Sequence, residues 1–166
     1  MVLILKKKEA RIAQDFQPIS LCSVSYKIIS KVLVNRLKNI LPSIIDERQS
    51  AFIPVRVIFE NVIVSHETIH TMIKRMKGKI GFLVEKLDMS KAYDCIEWSY
   101  LESVMRTLGF SNKWIKLVME CVKSVSYSVV VNGKQCGNIV PSRDLRQGDL
   151  LSPFLFLLYA EAFHVN

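Results

Sequence analysis

An apolar segment that runs directly into a carboxylate constrains the fold of this chain more than any other feature. Residues 81–89 are predicted to form a β-strand, because they start with a nearly continuous apolar run. A strand of this composition is typical of a sheet whose faces are covered by helices. Asp88 lies at the end of this strand, and the aromatic Tyr93 follows five residues after it. This arrangement indicates a functional site that a packed sheet supports.

Hydrophobic periodicity predicts two long helices before this strand. The first covers about residues 25–41 and is expected to end at Pro42. The second covers about residues 57–77 and is expected to end at Lys77 and Gly78. The apolar stripe predicted for the first helix consists of Ile28, Ile29, Val32, Leu33, Leu37, Ile40 and Leu41.

Two shorter helices are predicted after the strand. Asp94 and Glu97 have the spacing of a capping box, which would open a helix reaching about Leu108. Ser111 is a favourable cap for the next helix, which would end near Lys123. Both helices would cover the sheet.

The last part of the chain carries a hairpin signal and a helix start. Asn132 and Gly133 predict a tight turn in a β-hairpin near residues 126–141. Ser152 as cap and Pro153 as first residue predict a helix that continues to about residue 163. The fold class is therefore predicted as α+β, with helices packed on a small antiparallel sheet.

The positive charge of the chain is concentrated in its N-terminal half. The 166 residues carry a net charge of +8, and half of them are hydrophobic, which is enough for one sizeable core. Residues 1–80 hold 14 Lys/Arg against 6 Asp/Glu, whereas residues 81–166 hold 9 of each. This half would attract a polyanion such as nucleic acid, although a solvated helix face explains the charges equally well.

Cysteine spacing and apolar run lengths exclude several classes of protein. The four cysteines have neither the spacing of a zinc site nor the density of a disulfide scaffold. The apolar start precedes the lysines at 6–8, the reverse of a signal peptide, and residues 154–160 are too few for the roughly 18 that span a bilayer. We expect an intracellular protein, cytoplasmic or nuclear, that is neither secreted nor bound to a membrane.

Two motifs resemble those of a known enzyme family. Residues 86–94 read K-L-D-M-S-K-A-Y-D, and residues 145–153 read L-R-Q-G-D-L-L-S-P. Together they resemble the reverse transcriptases of plant-type non-LTR retrotransposons, and the resemblance covers nearly the whole chain. It implies a partial right-hand polymerase, in which about residues 1–80 form the fingers and about residues 81–166 form an incomplete palm.

The resemblance implies a catalytic divalent metal, Mg²⁺ or Mn²⁺. Asp88 matches the family's first metal carboxylate, and the carbonyl of Met89 would lie beside it. Two ions need several carboxylates. Glu85 would point to the opposite face of a strand, while Asp94 and Asp149 are better explained by a helix cap and a turn.

The resemblance also implies a nucleotide pocket and nucleic-acid contacts. Tyr93 matches the aromatic residue under the sugar, and Gln147 and Gly148 match residues that shape the pocket, beside Arg146 as a phosphate-seeking guanidinium. The implied partners are an RNA template, a DNA primer and a dNTP. Contacts to triphosphate or nucleic acid are expected from three residues in upstream motifs, for which a solvated surface role stays open: Lys27, Lys31 and Arg56.

Five motif positions depart from the family pattern. Gln17 stands where the family usually has Arg, which removes a charge that would face phosphate. Val55 and Asp144 each replace a usual Gly, and a left-handed turn at Val55 would be strained by the β-branched side chain. Cys95 and Leu150 replace a usual Arg and Pro. These departures suggest relaxed selection.

The family's aromatic-Ala-Asp-Asp hairpin should follow the second motif, and the sequence reaches Asn166 without it. We therefore expect a reverse transcriptase fragment, an RNA-directed DNA polymerase by resemblance, that is inactive alone. Two alternatives stay open: a basic nucleic-acid-binding remnant without catalysis, and a non-functional retrotransposon-derived product. The oligomeric state is not predicted.

Overall fold

The computed structural model describes residues 1–75, 81–86, 88–89 and 91–162. Two short strands, four consecutive helices, a strand pair and a last helix follow one another along these residues, so the predicted α+β class is confirmed. A short 3₁₀ helix, Ala13–Asp15, precedes the second strand. The elements are β1 (Val2–Leu5), β2 (Phe16–Ile19), α1 (Val24–Ile44), α2 (Ile58–Arg75), α3 (Trp98–Thr107), α4 (Asn112–Lys123), β3 (Tyr127–Val131), β4 (Lys134–Ile139) and α5 (Ser152–Glu161).

Two antiparallel strand pairs form the β-structure of the described residues. β1 pairs with β2, and β3 pairs with β4. Asn132 and Gly133 join β3 to β4 with φ angles of 50° and 76°, the left-handed conformation that an Asn-Gly hairpin turn requires. The predicted hairpin is thereby confirmed. The amide of Val130 in β3 donates to the carbonyl of Met1 at 3.1 Å, which connects the two pairs.

The predicted strand over residues 81–89 is wrong. Its described residues, 81–86 and 88–89, have no regular secondary structure and are exposed; Leu87 lies outside the described residues. Leu83 is 88% exposed. An apolar run becomes a strand only where a neighbouring strand accepts its backbone hydrogen bonds, and neither strand pair of the described chain includes this segment.

The hydrophobic core is built mainly by α1, α3, α4 and α5. Residues from all four helices form one buried cluster, together with Leu145 and Leu151 of the loop between β4 and α5. α5 is buried on most of its circumference, and Leu158 is fully inaccessible. No helix in the described part of the chain is both long enough and apolar enough to cross a bilayer.

α1 differs from its prediction in its end and in its buried face. The helix continues through Pro42 to Ile44, so the predicted end at Pro42 is wrong. Its buried residues recur every three or four positions, as expected for one helix face. They are Ser30, Leu33, Val34, Leu37 and Leu41, whereas Ile28, Ile29, Val32 and Ile40 of the predicted stripe are exposed.

α2 follows the predicted position but buries none of its residues. Ile58 is 61% exposed and Ile73 is 63% exposed. The predicted end of this helix at Lys77 and Gly78 lies outside the described residues. Its apolar pattern therefore predicted a helix correctly without predicting burial.

The predicted capping box of α3 is wrong. α3 begins at Trp98, and Glu97 occupies the cap position without a side-chain hydrogen bond. Asp94 belongs to a turn, in which its amide donates to the Lys91 carbonyl at 3.0 Å. The cap predicted for α4 is confirmed, because the Ser111 hydroxyl accepts a hydrogen bond from the Trp114 amide at 3.3 Å.

α5 begins one residue earlier than predicted. Leu151 is the cap residue, and Ser152 is the first helical residue and is buried. Pro153 therefore occupies the second position, where its missing N–H is also tolerated. The amides of Phe154 and Leu155 both bond to the Leu151 carbonyl at 3.1 Å.

Candidate functional site

An open cleft of about 770 Å³ lies between the β1–β2 pair and the turn at residues 91–94. Tyr93 and Gln147, predicted from two separate motifs, both line it. Gln17 also lines the cleft, where the usual Arg of the family would add a positive charge. Lys6 and Lys91 supply cationic side chains at its wall. Asp94 adds one carboxylate, so the cleft combines an aromatic ring, amides and a small excess of positive charge, which suits an anionic ligand with a planar or sugar ring.

Tyr93 is held in the cleft by packing and by its backbone. Its half-buried ring meets Phe156 of α5 edge-on, with ring centroids 5.5 Å apart. Burial raises the pKa of the Tyr93 phenol. Its carbonyl accepts hydrogen bonds from the Ile96 amide at 3.3 Å and the Leu145 amide at 3.1 Å. The turn that carries Tyr93 is therefore bound to the loop that carries Gln147.

Gln147 and Gly148 lie against the end of β2. The Gln147 carbonyl accepts from the Ser20 amide at 2.9 Å. Gly148 has a φ of 95°, and a Cβ atom added there would lie 3.1 Å from Cγ2 of Ile19. Both the conformation and the close approach favour glycine at this position.

Arg146 is occupied by contacts within the fold. Its guanidinium carbon lies 4.0 Å from the ring centroid of Tyr26, and Nη2 donates to the carbonyl of Cys121. The neighbouring Asp149 is buried and accepts a hydrogen bond from the Tyr26 hydroxyl at 2.7 Å. The phosphate contact expected of Arg146 stays a prediction.

Asp88 and Met89 are not part of the cleft. Both are exposed, and neither is among the described residues that line it. Over the described ranges, no three or more His, Cys, Asp or Glu side chains are grouped so that they could hold a metal ion. One exposed carboxylate does not fit the two divalent ions of a polymerase site. The roles of Asp88 and Met89 in catalysis and metal binding stay predictions.

Lys27 and Lys31 are exposed on α1, whereas Arg56 has an internal function. The Arg56 guanidinium donates to four main-chain carbonyls at 2.6–3.2 Å, which belong to Pro42, Ile45, Asp46 and Gln49. The last carbonyls of a helix lack intrahelical partners, and Arg56 satisfies one of them, that of Pro42, together with three carbonyls of the segment after α1. We call these four hydrogen bonds the Arg56 clamp. The motif that contains Arg56 did not indicate them. The contacts to nucleic acid expected of all three residues stay predictions.

The two residues that replace a usual Gly both have positive φ angles. Val55 has a φ of 71° and is 99% exposed, so the strain anticipated for a left-handed turn there is present. Asp144 has a φ of 115°. Its half-buried carboxylate accepts from the Tyr127 hydroxyl at 3.2 Å. Burial, assisted by the nearby Asp94, raises the pKa of Asp144 to about 6.

Comparison with known proteins agrees with these motifs. The family model for reverse transcriptase (RNA-dependent DNA polymerase) matches residues 4–164. The chain is 31% identical over 161 residues to the transposon TX1 uncharacterized 149 kDa protein of Xenopus laevis, covering 97% of this chain and 12% of that protein. It is 29% identical over 157 residues to the retrovirus-related Pol polyprotein from the type-2 retrotransposable element R2DM of Drosophila melanogaster, covering 95% and 14%.

A shorter match is found in a plant protein. The chain is 56% identical over 32 residues to an uncharacterized mitochondrial protein of Arabidopsis thaliana, covering 19% of this chain and 26% of that protein. Nearly the whole of this chain matches the Xenopus laevis and Drosophila melanogaster proteins, but it spans only 12–14% of their length.

The fold and the comparisons define the class of protein. The chain belongs to the reverse transcriptase (RNA-dependent DNA polymerase) family. Within that family it is a reverse transcriptase domain of the non-LTR retrotransposon kind, spanning part of the length of its relatives. The motifs at residues 86–94 and 145–153 thus predicted the reverse transcriptase family and its non-LTR retrotransposon kind correctly, and the plant type stays a prediction.

Proposed function

We propose that this chain forms fingers, at about residues 1–80, and part of the palm, at about 81–166, of an RNA-directed DNA polymerase, and that the cleft binds the incoming dNTP. The observation that carries this proposal is that Tyr93 and Gln147, far apart in the sequence, line one cleft. Tyr93 lies against the sugar in this proposal. Lys6 and Lys91 attract the phosphates, where Gln17 supplies no charge.

The proposal includes an RNA template and a DNA primer as partners. Residues 1–80 contain 14 of the 23 Lys/Arg residues, and Lys27 and Lys31 are exposed on α1. A basic surface of this kind attracts the phosphate backbone regardless of sequence. The polymer would then approach the cleft from the N-terminal half, in the cytoplasm or the nucleus.

Divalent metal enters the proposal through Asp88 alone. When bound, Mg²⁺ or Mn²⁺ would neutralise charge on the triphosphate. The described donor set does not fit a pair of such ions, and Asp88 is exposed outside the cleft. We therefore assign nucleotide and nucleic-acid binding to the polypeptide of these 166 residues, and negligible polymerisation when it acts alone.

The plant-type assignment is also part of this proposal. It is supported by the 56% identity to the Arabidopsis thaliana protein over 32 residues, which exceeds the 31% identity to the Xenopus laevis protein, although over a much shorter segment.

Titration of the purified chain with mant-dATP in the presence of Mg²⁺ tests the nucleotide site. Tyr93→Ala and Gln147→Ala should each weaken binding about tenfold, equivalent to about 1.4 kcal/mol. Gln135→Ala, a matched amide on β4, should leave the affinity unchanged. Equal affinities for wild type and both cleft variants would refute the assignment of the cleft.

Primer extension on poly(rA)/oligo(dT) with Mn²⁺ tests the statement on catalysis. We expect no extension by the folded chain. Extension that disappears in Asp88→Asn would overturn this expectation and would mean that further carboxylates complete the metal site.

A basic nucleic-acid-binding protein without a nucleotide site is the second candidate function, favoured by the exposed Lys27 and Lys31. It predicts RNA binding that falls steeply with salt and is weaker in Lys27→Gln/Lys31→Gln. Lys113→Gln/Lys116→Gln on α4, with the same loss of two exposed charges, is the matched control. Salt-dependent RNA binding without mant-dATP binding would select this candidate.

A further inference from the structure

Arg146, immediately before Gln147, is bound by two segments from distant parts of the sequence. Its guanidinium stacks on the ring of Tyr26 in α1, 4.0 Å from the ring centroid to the guanidinium carbon. It also donates to the carbonyl of Cys121 in α4. Stacking a guanidinium on an aromatic face and pairing it with a carbonyl both restrict its position. The N-terminal side of the Gln147 loop is therefore attached to α1 and α4.

Asp149, on the other side of Gln147 and Gly148, is bound to the same tyrosine. The Tyr26 hydroxyl donates to Oδ2 of Asp149 at 2.7 Å, and Oδ1 accepts from the Leu151 amide at 3.3 Å. Asp149 is only 9% exposed, so little water competes for this carboxylate. Burial and this hydrogen bond raise the pKa of the Tyr26 phenol, which keeps its proton and continues to donate at neutral pH.

One side chain of α1 thus holds both residues that flank Gln147 and Gly148. We propose that Tyr26 is a positioning residue, which sets the location of Gln147 in the nucleotide cleft through Arg146 and Asp149. Tyr26 is not among the described residues that line the cleft, so its effect on a ligand would be indirect. The inference rests on the proposed function, because it assumes that Gln147 contacts a nucleotide.

Tyr26→Phe in the full 166-residue chain tests the inference, because it keeps the ring under Arg146 and removes only the hydroxyl donor. The affinity for mant-dATP with Mg²⁺ should fall about fivefold, the effect of one ordinary hydrogen bond. Amide hydrogen exchange should rise in residues 145–151 and stay unchanged in the β3–β4 hairpin. Tyr100→Phe, at a tyrosine that packs on Tyr159 of α5, is the matched control and should change neither quantity.

Variants of Asp149 separate positioning from a general loss of stability. Asp149→Asn retains an oxygen acceptor for Tyr26 but turns its NH₂ group toward the Leu151 amide, so its affinity for mant-dATP should lie between those of wild type and Asp149→Ala. Asp149→Ala should weaken binding as Tyr26→Phe does. The double variant Tyr26→Phe/Asp149→Ala should be no weaker than Asp149→Ala alone, because both remove the same bond. A merely structural role would lower the melting temperature and leave the affinity of the folded chain unchanged.

The outcomes distinguish this inference from the proposed function. If Tyr93→Ala weakens binding but Tyr26→Phe changes neither affinity nor exchange at 145–151, the positioning role is wrong and the nucleotide cleft stands. If Tyr93→Ala and Gln147→Ala are both without effect, the nucleotide cleft itself is wrong. The role of Tyr26 in nucleotide binding then falls with it.

Discussion

α5 and α2 are both rich in apolar residues, but only α5 is buried. Leu155 and Leu158 of α5 are 1% and 0% exposed, whereas Ile58 and Ile73 of α2 are 61% and 63% exposed. The cleft residue Tyr93 packs on Phe156 of α5. Asp88, in the irregular segment that comes after α2 in the sequence, is exposed. The nucleotide side of the candidate site is therefore supported by the core, and the proposed metal carboxylate is not.

Alanine substitution in the two helices measures this contrast directly, and we expect the largest effect here. Leu158→Ala should lower the free energy of unfolding by about 2–5 kcal/mol, because it leaves a cavity in the core. Ile73→Ala in α2 should change it by no more than about 0.5 kcal/mol, because that side chain is already exposed. Urea denaturation followed by circular dichroism provides both values. Similar losses for the two variants would mean that α2 is packed in solution, and the contrast would not hold.

The Arg56 clamp extends the contrast to a charged residue. Arg56→Ala should lower the free energy of unfolding by about 2–3 kcal/mol, because one carbonyl in the last turn of α1 and three carbonyls after α1 lose a charged donor. Arg36→Ala, at an exposed arginine of α1, should have an effect of less than about 0.5 kcal/mol. Both are measured by urea denaturation. If Arg56→Ala leaves stability unchanged but reduces the salt dependence of RNA binding, the residue acts as a nucleic-acid contact and the clamp is unimportant.

Val55 tests whether an exposed, strained position can be improved. Val55→Gly should raise the free energy of unfolding by about 0.5–1 kcal/mol, because relief of left-handed strain exceeds the entropy cost of glycine. Val57→Gly should lower it by about 0.4–1 kcal/mol, since Val57 is not among the positive-φ residues. Thermal melts of the two variants compare them. A lower melting temperature for Val55→Gly would show that Val55 has a contact that outweighs the strain.

The smallest effect that we expect is a dependence of stability on pH caused by Asp144. Its folded pKa of about 6 exceeds the ordinary value of 3.8, so the folded state binds more protons between these values. Its contribution to stability therefore falls as the pH rises from about 4 through 6. Asp144→Asn should remove this contribution and can still accept from Tyr127.

Melting temperatures of wild type and Asp144→Asn across this pH range check the prediction. Backbone hydrogen bonds lower the pKa of Asp15, and a hydrogen bond from Arg106 lowers the pKa of Glu102. Both carboxylates therefore stabilise the fold above their ordinary pKa values, and this stabilisation is lost as the pH falls below them. The difference between the two proteins isolates Asp144. A difference that does not vary with pH would contradict the raised pKa.

Local signals predicted the elements whose requirements are met within a few residues. Ser111 caps α4 through an amide three positions away, and Asn132 and Gly133 form their turn with adjacent backbone. The box at Asp94 and Glu97 failed, although its pattern was equally local. The Asp94 turn is instead part of the segment whose Tyr93 carbonyl binds the Leu145 amide. This turn is therefore bound by a tertiary contact to the Leu145 loop, and Asp94 does not cap α3.

The amino-acid sequence by itself determined the family and the identities of Tyr93 and Gln147, because motif residues can be recognised without coordinates. Only the tertiary structure decided that these two residues share a cleft, that Arg56 and Arg146 bind main-chain carbonyls, and that the segment around Asp88 stays exposed. The physical reason is distance along the chain. A guanidinium or a strand takes its final position only when its partners are present, and here the partners of Arg146 come from α1 and α4.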